Sequence, residues 1–325
     1  MEDIISTYTE AITLLKKIPV PKHGTPVVIV NTTFFPQPLR SRLERHFNKA
    51  YYVSPEMNRW EKACLNPSLD VDEISRAFNA GEVVVIDDFM TPECLEVAER
   101  IGHDSQIWHE TKQGNYVGSM SHDGFAPAPF SKLAKELEMA LPQVFGEHTL
   151  IMHWGFKHDS LRGPLGIKAH ADTAAINLNF WVTKDSANMD PEGGGLTIFD
   201  KRVGKDGIGE NFDAYNNNNV DSASLGFTDR DIKKKVAYRQ NRAVLFHSSY
   251  FHETQHHKFK PGYTNRRINF TLLFGFMESI RCSACEKTQG DFCTSAVPSS
   301  HGKVSWREQD PPVRLPTDAN FHDDL

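Results

Sequence analysis

Between residues 149 and 276 the chain is a succession of short apolar, β-branched and aromatic stretches, at 149–156, 176–183, 196–199, 243–246 and 268–276. Clusters of Gly, Pro and Asn separate them, and no helix-period segment falls between any two. Parallel strands need a crossover of a dozen or more residues, usually a helix. Its absence argues against βαβ units and for an antiparallel jelly-roll or barrel. Helical patterns come earlier: one follows Thr91 as N-cap with Pro92 at the first helical position, and another at 131–141 carries Leu133, Leu137 and Leu141 on one side. They are expected to cover the outside of the sheet, which makes the fold class α+β.

The flanks carry less information. Residues 1–80 are expected to form a helical and mixed extension, with Ile5, Tyr8, Ile12 and Leu15 on one helical face and Leu39, Leu43 and Phe47 on another. A short strand is expected at 27–30. Asp70 and Glu73 stand at capping-box spacing before Ile74 and Phe78, and Gly81 ends that helix. The main domain is expected at 81–280 and a polar tail at 281–325. Within the domain, 201–236 is rich in Asn, Gly and charge, and its stretch 229–235 reads as too polar for a core strand. Such an insertion is either a lid over a site or a disordered loop.

A net charge of -6 has the wrong sign for partners held through phosphates, so neither nucleic acid nor an anionic membrane is expected. No apolar stretch approaches a membrane span or a signal peptide, and a cytoplasmic location is expected. The five Cys are an odd number in a long chain, which speaks against a disulfide framework. Cys282, Cys285, Cys293 and His301 hint at a zinc knot, but their spacing is irregular, and free thiols at the domain's edge are expected over a structural zinc.

Chemistry concentrates in Lys168-Ala169-His170-Ala171-Asp172. Residues two apart on a strand end project to the same side, so one metal can take the His170 imidazole and the Asp172 carboxylate together. The pair alone is weak evidence, since His322-Asp323-Asp324 repeats it in the tail. Support comes from His252 in Phe251-His252-Glu253-Thr254, 82 positions after His170, and from Arg267, 15 further on. Two His and one carboxylate leave one face of a metal open, the arrangement of non-haem Fe(II) oxygenases. His247 is a weaker competitor for the distal ligand, while His256-His257-Lys258 reads as a solvated basic turn. In 267–274, Arg267, Asn269 and Thr271 alternate with Ile268, Phe270, Leu272 and Phe274. In 176–182, Asn177, Asn179 and Trp181 alternate with Ile176, Leu178, Phe180 and Val182. Two buried Asn need partners, so a ligand or ordered water is expected against them.

On these residues the chain resembles the Fe(II)- and 2-oxoglutarate-dependent dioxygenases, whose pattern is His-x-Asp, a distal His and a following Arg. The likeness spans roughly residues 80–278. It is strongest to small-molecule-type members, through Trp154-Gly155-Phe156-Lys157-His158-Asp159 and Gly194-Gly195-Leu196-Thr197-Ile198-Phe199-Asp200. It implies a double-stranded β-helix, a jelly roll of cupin type. It also implies Fe(II) held by His170, Asp172 and His252, with 2-oxoglutarate and O2 as cosubstrates. Arg267 would bind the far carboxylate of 2-oxoglutarate, because guanidinium offers a planar two-pronged donor. Strand parity selects it over Arg266. Asn269 stands where many members have Ser or Thr, and His158 where similar chains often carry Tyr; with Asn179 they complete the implied cosubstrate contacts. Arg162, Lys157 and Trp181 are candidates for the substrate, with Lys168 as a further flanking cation.

The implied reaction is oxidation of a C–H bond in a small organic substrate, by hydroxylation, desaturation or oxidative cyclisation, with release of succinate and CO2. An amino-acid-derived acid such as a kainoid precursor is the expected substrate class. A non-oxidative metal-binding cupin, either an isomerase or a binding module, is the alternative, and Arg267 at its spacing discriminates against it. Halogenating relatives lack the carboxylate ligand, so Asp172 speaks against that chemistry.

Overall fold

The alternation at 267–274 makes a strand with two different faces, and the computed structural model is organised around it. The structure describes residues 2–18, 32–46, 49, 51–108, 110–112, 116–159, 166–203 and 221–276. The expected strand at 27–30, Phe47, Arg162, much of the 201–236 insertion and the cysteines of the tail lie outside the described residues.

The described residues form ten strands: β1 (Val84–Ile86), β2 (Glu110–Lys112), β3 (Tyr116–Met120), β4 (Leu150–His158), β5 (Ile176–Trp181), β6 (Leu196–Arg202), β7 (Ile232–Val236), β8 (Ala243–His247), β9 (Tyr250–Thr254) and β10 (Arg267–Phe274). Seven form one sheet in the order β1-β8-β5-β10-β4-β3-β2, and three form a second in the order β7-β6-β9, with antiparallel pairing throughout. An isolated bridge between His170 and His252 adds one further rung beside β9. Strands β4 to β10 thus pass back and forth between two sheets, which is a double-stranded β-helix.

Among the described residues six α-helices accompany the strands: α1 (Glu2–Leu15), α2 (Leu39–Glu44), α3 (Val71–Asn79), α4 (Pro92–Asp104), α5 (Ala128–Ala140) and α6 (Pro142–Phe145). The caps lie where the sequence puts them: Asp70 accepts from the Glu73 amide at 2.9 Å, and Thr91 from that of Cys94 at 3.3 Å. Ile268, Phe270, Leu272 and Phe274 from β10, with Ile176, Leu178 and Phe180 from β5, share one apolar core with Ile74 and Phe78 of α3, Ile101 of α4 and Leu133 of α5. Phe270 is fully buried against Phe125, Phe130 and Phe180. The helices therefore close one face of the large sheet, and the odd-numbered residues of β10 are left to face the interior between the sheets.

Three expectations are corrected. The face of α1 that packs is not Ile5, Ile12 and Leu15, which are exposed. Instead Ala11 is buried against Phe35, Leu39 and Leu43, flanked by Tyr8 and Leu14, because a small side chain lets the helix approach closely. The polar stretch 229–235 does contain most of a strand: among the described residues β7 pairs only with β6, and on this sheet edge Lys234 and Lys235 stay exposed, the Lys234 ammonium donating to the Val83 carbonyl. Cys64 and Cys94, both fully buried, form a disulfide that ties the first turn of α4 to the segment before α3. An odd number of cysteines weighs against a framework of bridges but not against one. Among the described residues no helix is long and apolar enough to cross a membrane.

Candidate active site

His252 sits at the centre of β9, and His170 is its direct cross-strand partner. The two exchange backbone hydrogen bonds of 3.0 and 2.8 Å. Their side chains emerge on one side with ring centroids 4.3 Å apart, and Asp172, two residues on, reaches both. Its Oδ1 lies 3.7 Å from His170 Nε2 and its Oδ2 3.5 Å from His252 Nε2. All three residues are buried, and one donor atom from each lies within 4.8 Å of the others.

The protonation pattern suits a cation. His170 Nδ1 faces the Lys168 carbonyl at 2.7 Å and His252 Nδ1 faces the Tyr250 carbonyl at 3.2 Å. A carbonyl only accepts, so each Nδ1 turns its N–H there, and each Nε2 is the ring atom that faces Asp172. Burial and the neighbouring His252 lower the pKa of His170 to about 4, against the opposing pull of Asp172. For Asp172, burial acts to raise the pKa. The hydrogen bond with His252, the two imidazoles and the Asn177 amide outweigh it and hold the carboxyl below its usual range. A neutral imidazole beside a carboxylate in a buried site is a donor set for a divalent first-row metal.

The cavity next to this group has a volume of about 300 Å³ including its mouth. His170, Asp172, His252, Asn179, Arg267, Asn269 and Thr271 supply its polar wall, and Trp154, Phe156, Ile167 and Leu196 most of its apolar one. Arg267 enters from the first residue of β10 and is 1% exposed. Its Nε donates to the Gly194 carbonyl at 2.5 Å and its Nη1 to Asn269 Oδ1 at 2.9 Å, while Nη2 has no acceptor among the described residues. Gly194 has φ +84°, a conformation that side chains rarely adopt, and this turns its carbonyl onto the guanidinium. Burial lowers the pKa of Arg267 to about 10, with Tyr238 opposing, so the group stays cationic at neutral pH. Arg266, of opposite parity, lies at the surface and pairs with Asp159 at 2.8 Å.

The buried amides do not need the ligand or water expected of them. Thr271 Oγ1 donates to Asn179 Oδ1 at 2.6 Å, Asn179 Nδ2 donates to Asn177 Oδ1 at 2.5 Å, and Asn177 Nδ2 donates to Asp172 Oδ2 at 2.5 Å.

Other expected contacts fall elsewhere. Lys157 pairs in register with Ile268, not with an interior residue, so it lies on the helix side of the sheet. There it is buried, donates to the Tyr263 hydroxyl at 2.7 Å and sits over the rings of Trp108 and Tyr263. Burial and the Arg266 charge lower its pKa to about 7, partly offset by Asp104. It cannot touch a substrate in the cavity. Lys168 is half-exposed and pairs with Asp221 at 3.1 Å. Trp181 faces the interior but is fully buried behind Arg267, whose guanidinium carbon lies 5.8 Å from its ring centre, so it backs the arginine and does not line the cavity. His158, at 0% exposure, stacks on Tyr116 and lies edge-on to His257. Neither of its nitrogens makes a well-directed hydrogen bond, and burial, Arg267 and His257 keep it neutral. His257 is not solvated: it is 1% exposed, and burial and the Arg267 charge lower its pKa to about 3. The sequence signal was the alternation in which His257 and Phe259 are buried while His256, Lys258 and Lys260 are exposed. Trp154, Ile167 and Thr254 also line the cavity without having been singled out.

No protein-family profile matches the sequence, and no curated protein matches it. Among solved structures, the chain is similar to a prolyl hydroxylase from Trichoplax adhaerens in complex with a hypoxia inducible factor peptide fragment. That match has 12% identity, covers 66% of this chain and 94% of that one, and has a TM-score of 0.44. HygX from Streptomyces hygroscopicus, with nickel and 2-oxoglutarate bound, matches at 13% identity over 65% and 88%, with a TM-score of 0.43. The non-heme alpha ketoglutarate dependent epimerase SnoN from nogalamycin biosynthesis matches at 9% over 65% and 84%, also with a TM-score of 0.43. Resemblance at this level assigns no activity to this chain.

Proposed function

We propose that the chain is a non-haem Fe(II)- and 2-oxoglutarate-dependent dioxygenase that oxidises a C–H bond of a small organic substrate. One observation carries this reading: two imidazoles, a carboxylate and a buried guanidinium with unpaired donors line a single cavity. A metal needs only the first three. The fourth is a fixed cation for a ligand that also has an anionic end, as a dicarboxylate does.

His170, Asp172 and His252 would hold the metal through Nε2, a carboxylate oxygen and Nε2. Bound iron would supply the coupling of O2 reduction to oxidative decarboxylation of 2-oxoglutarate, with succinate and CO2 as products and the substrate oxidised. Arg267 would bind the far carboxylate through its free N–H groups while its other two bonds fix the guanidinium plane. Asn269 holds that plane and borders the cavity. Trp154, Phe156, Ile167 and Leu196 keep water from the reacting centre and favour a substrate with an apolar portion. Among the described residues Arg267 is the one cation on the cavity wall, so a second carboxylate, on an amino-acid-derived substrate, gains no further support there.

The test is anaerobic reconstitution with Fe(II) followed by addition of 2-oxoglutarate and air, measuring succinate. Fe(II)-dependent succinate formation that Asp172→Ala abolishes supports the reading. No succinate under any condition, with metal bound, favours the non-oxidative cupin.

A further inference from the structure

The Thr271, Asn179 and Asn177 chain has no part in the reaction so far. Two amides at 0% and 5% exposure inside a jelly roll are a poor choice for packing, since Asn177 pairs in register with Phe246 and Leu273. What they have in common is direction. An ionised carboxylate can only accept, so Asn177 must present Nδ2 to Asp172. Its Oδ1 then faces away and needs a donor, which the Nδ2 of Asn179 supplies. Asn179 Oδ1 in turn needs a donor and takes the hydroxyl proton of Thr271. The orientation of every group follows from the charge on Asp172, and the chain ends on the cavity wall, which Thr271 and Asn179 both line. The backbone of Asp172 is fixed separately, by Ser248 Oγ donating to its carbonyl at 3.0 Å. The carboxylate itself faces the two imidazoles on one side, and Asn177 holds it from the other.

We propose that Asn177 is a positioning residue for Asp172, and that Asn179 and Thr271 extend this hold to the cavity wall, so that metal affinity is set in part from Thr271. The proposal rests on the reading of His170, Asp172 and His252 as a metal centre. Thr271 spends its proton on Asn179, so its oxygen offers only lone pairs to the cavity, and an occupant bonded there must be a donor. An occupant that is an acceptor, such as a carboxylate, would meet Thr271 unfavourably and is left to Arg267. The polar wall is thereby divided into a donor end and an acceptor end.

The experiment is Co(II) titration of the whole protein without cosubstrate, followed by calorimetry and by the visible absorption of Co(II), which reports coordination geometry. Partners that orient metal ligands typically change affinity by about 10- to 100-fold when removed. Asn177→Ala should weaken Co(II) binding by about that factor and alter the spectrum. Thr271→Val should weaken it by a smaller factor, and Thr271→Ser, which keeps the hydroxyl, should restore it. In the double variant Thr271→Val should add nothing to Asn177→Ala, because the chain is already cut. Wild-type affinity and spectrum for Asn177→Ala, alongside lost binding for Asp172→Ala, would overturn the proposal and leave the metal centre standing. Wild-type affinity for Asp172→Ala would instead overturn the metal centre. Should Asn177→Ala fail to fold, the Thr271→Val and Thr271→Ser pair decides alone: equal affinities for the two refute the relay.

Discussion

Arg267→Lys is the substitution whose outcome the structure constrains most. A guanidinium carries five N–H donors. One goes from Nε to Gly194 and one from Nη1 to Asn269, which leaves three for a ligand, enough for two parallel bonds to one carboxylate. Lysine keeps the charge but presents a single nitrogen, so at least one charge-assisted bond is lost. Such a bond contributes about 1.5 to 3 kcal/mol, which corresponds to roughly a 10- to 150-fold rise in the Kd for 2-oxoglutarate. Arg266→Lys is the control, because its surface pair with Asp159 contributes about 1 kcal/mol or less and does not face the cavity. Calorimetric titration of 2-oxoglutarate into anaerobic Co(II)-loaded protein measures both. Near-wild-type affinity for Arg267→Lys, or an equal loss for Arg266→Lys, would refute the assignment of the carboxylate site.

Three further outcomes are expected. His170→Ala, Asp172→Ala and His252→Ala should each abolish iron-dependent turnover, while Zn, Co and Ni should bind wild-type protein without supporting it, since such donor sets do not select Fe(II) by affinity; retained turnover removes that residue from the metal centre. Metal-free stability should fall as pH drops from 6.5 toward about 3, because unfolded His257 takes up a proton there that folded His257 refuses. His257→Asn should lessen, without abolishing, the dependence of the urea midpoint on pH in that window, because His170, His103 and His158 are depressed there as well, and an unchanged slope counts against the buried neutral imidazole. Phe270→Ala should destabilise the fold by about 3 to 5 kcal/mol in urea unfolding, the usual range for a fully buried Phe; a loss below about 1 kcal/mol would mean the helices do not close the sheet as described.

The strands nearest the cavity were the most legible, because a period of two with one polar face leaves a single register for Arg267, Asn269 and Thr271. The helix caps at Asp70 and Thr91 were legible for an equally local reason. What sequence could not supply was depth. His257 lies between His256 and Lys258, and although the alternation with Phe259 hinted at an inward face, what it packs against, the ring of His158 on β4, lies across the fold. Lys157 looked like a cavity cation because it adjoins the site in sequence, although parity alone sends it to the other face. β7 was passed over because an edge strand tolerates lysines that a central strand would not. The packing of α1 through Ala11 follows from close approach, which a hydrophobic period does not encode.

The single rung between His170 and His252 has a consequence for how such a chain can change over time. Those residues are 82 positions apart, yet their separation in space is set by two backbone hydrogen bonds across adjacent strands. The length and composition of what lies between enter the ligand geometry hardly at all. Loop-closure entropy grows slowly with length, so segments joining the strands can be extended, shortened or exchanged at modest energetic cost. Substrate preference can then drift through those segments while the chemistry stays fixed, and a designer wishing to move the pocket onto another loop set need preserve only that rung and the residues that orient its side chains.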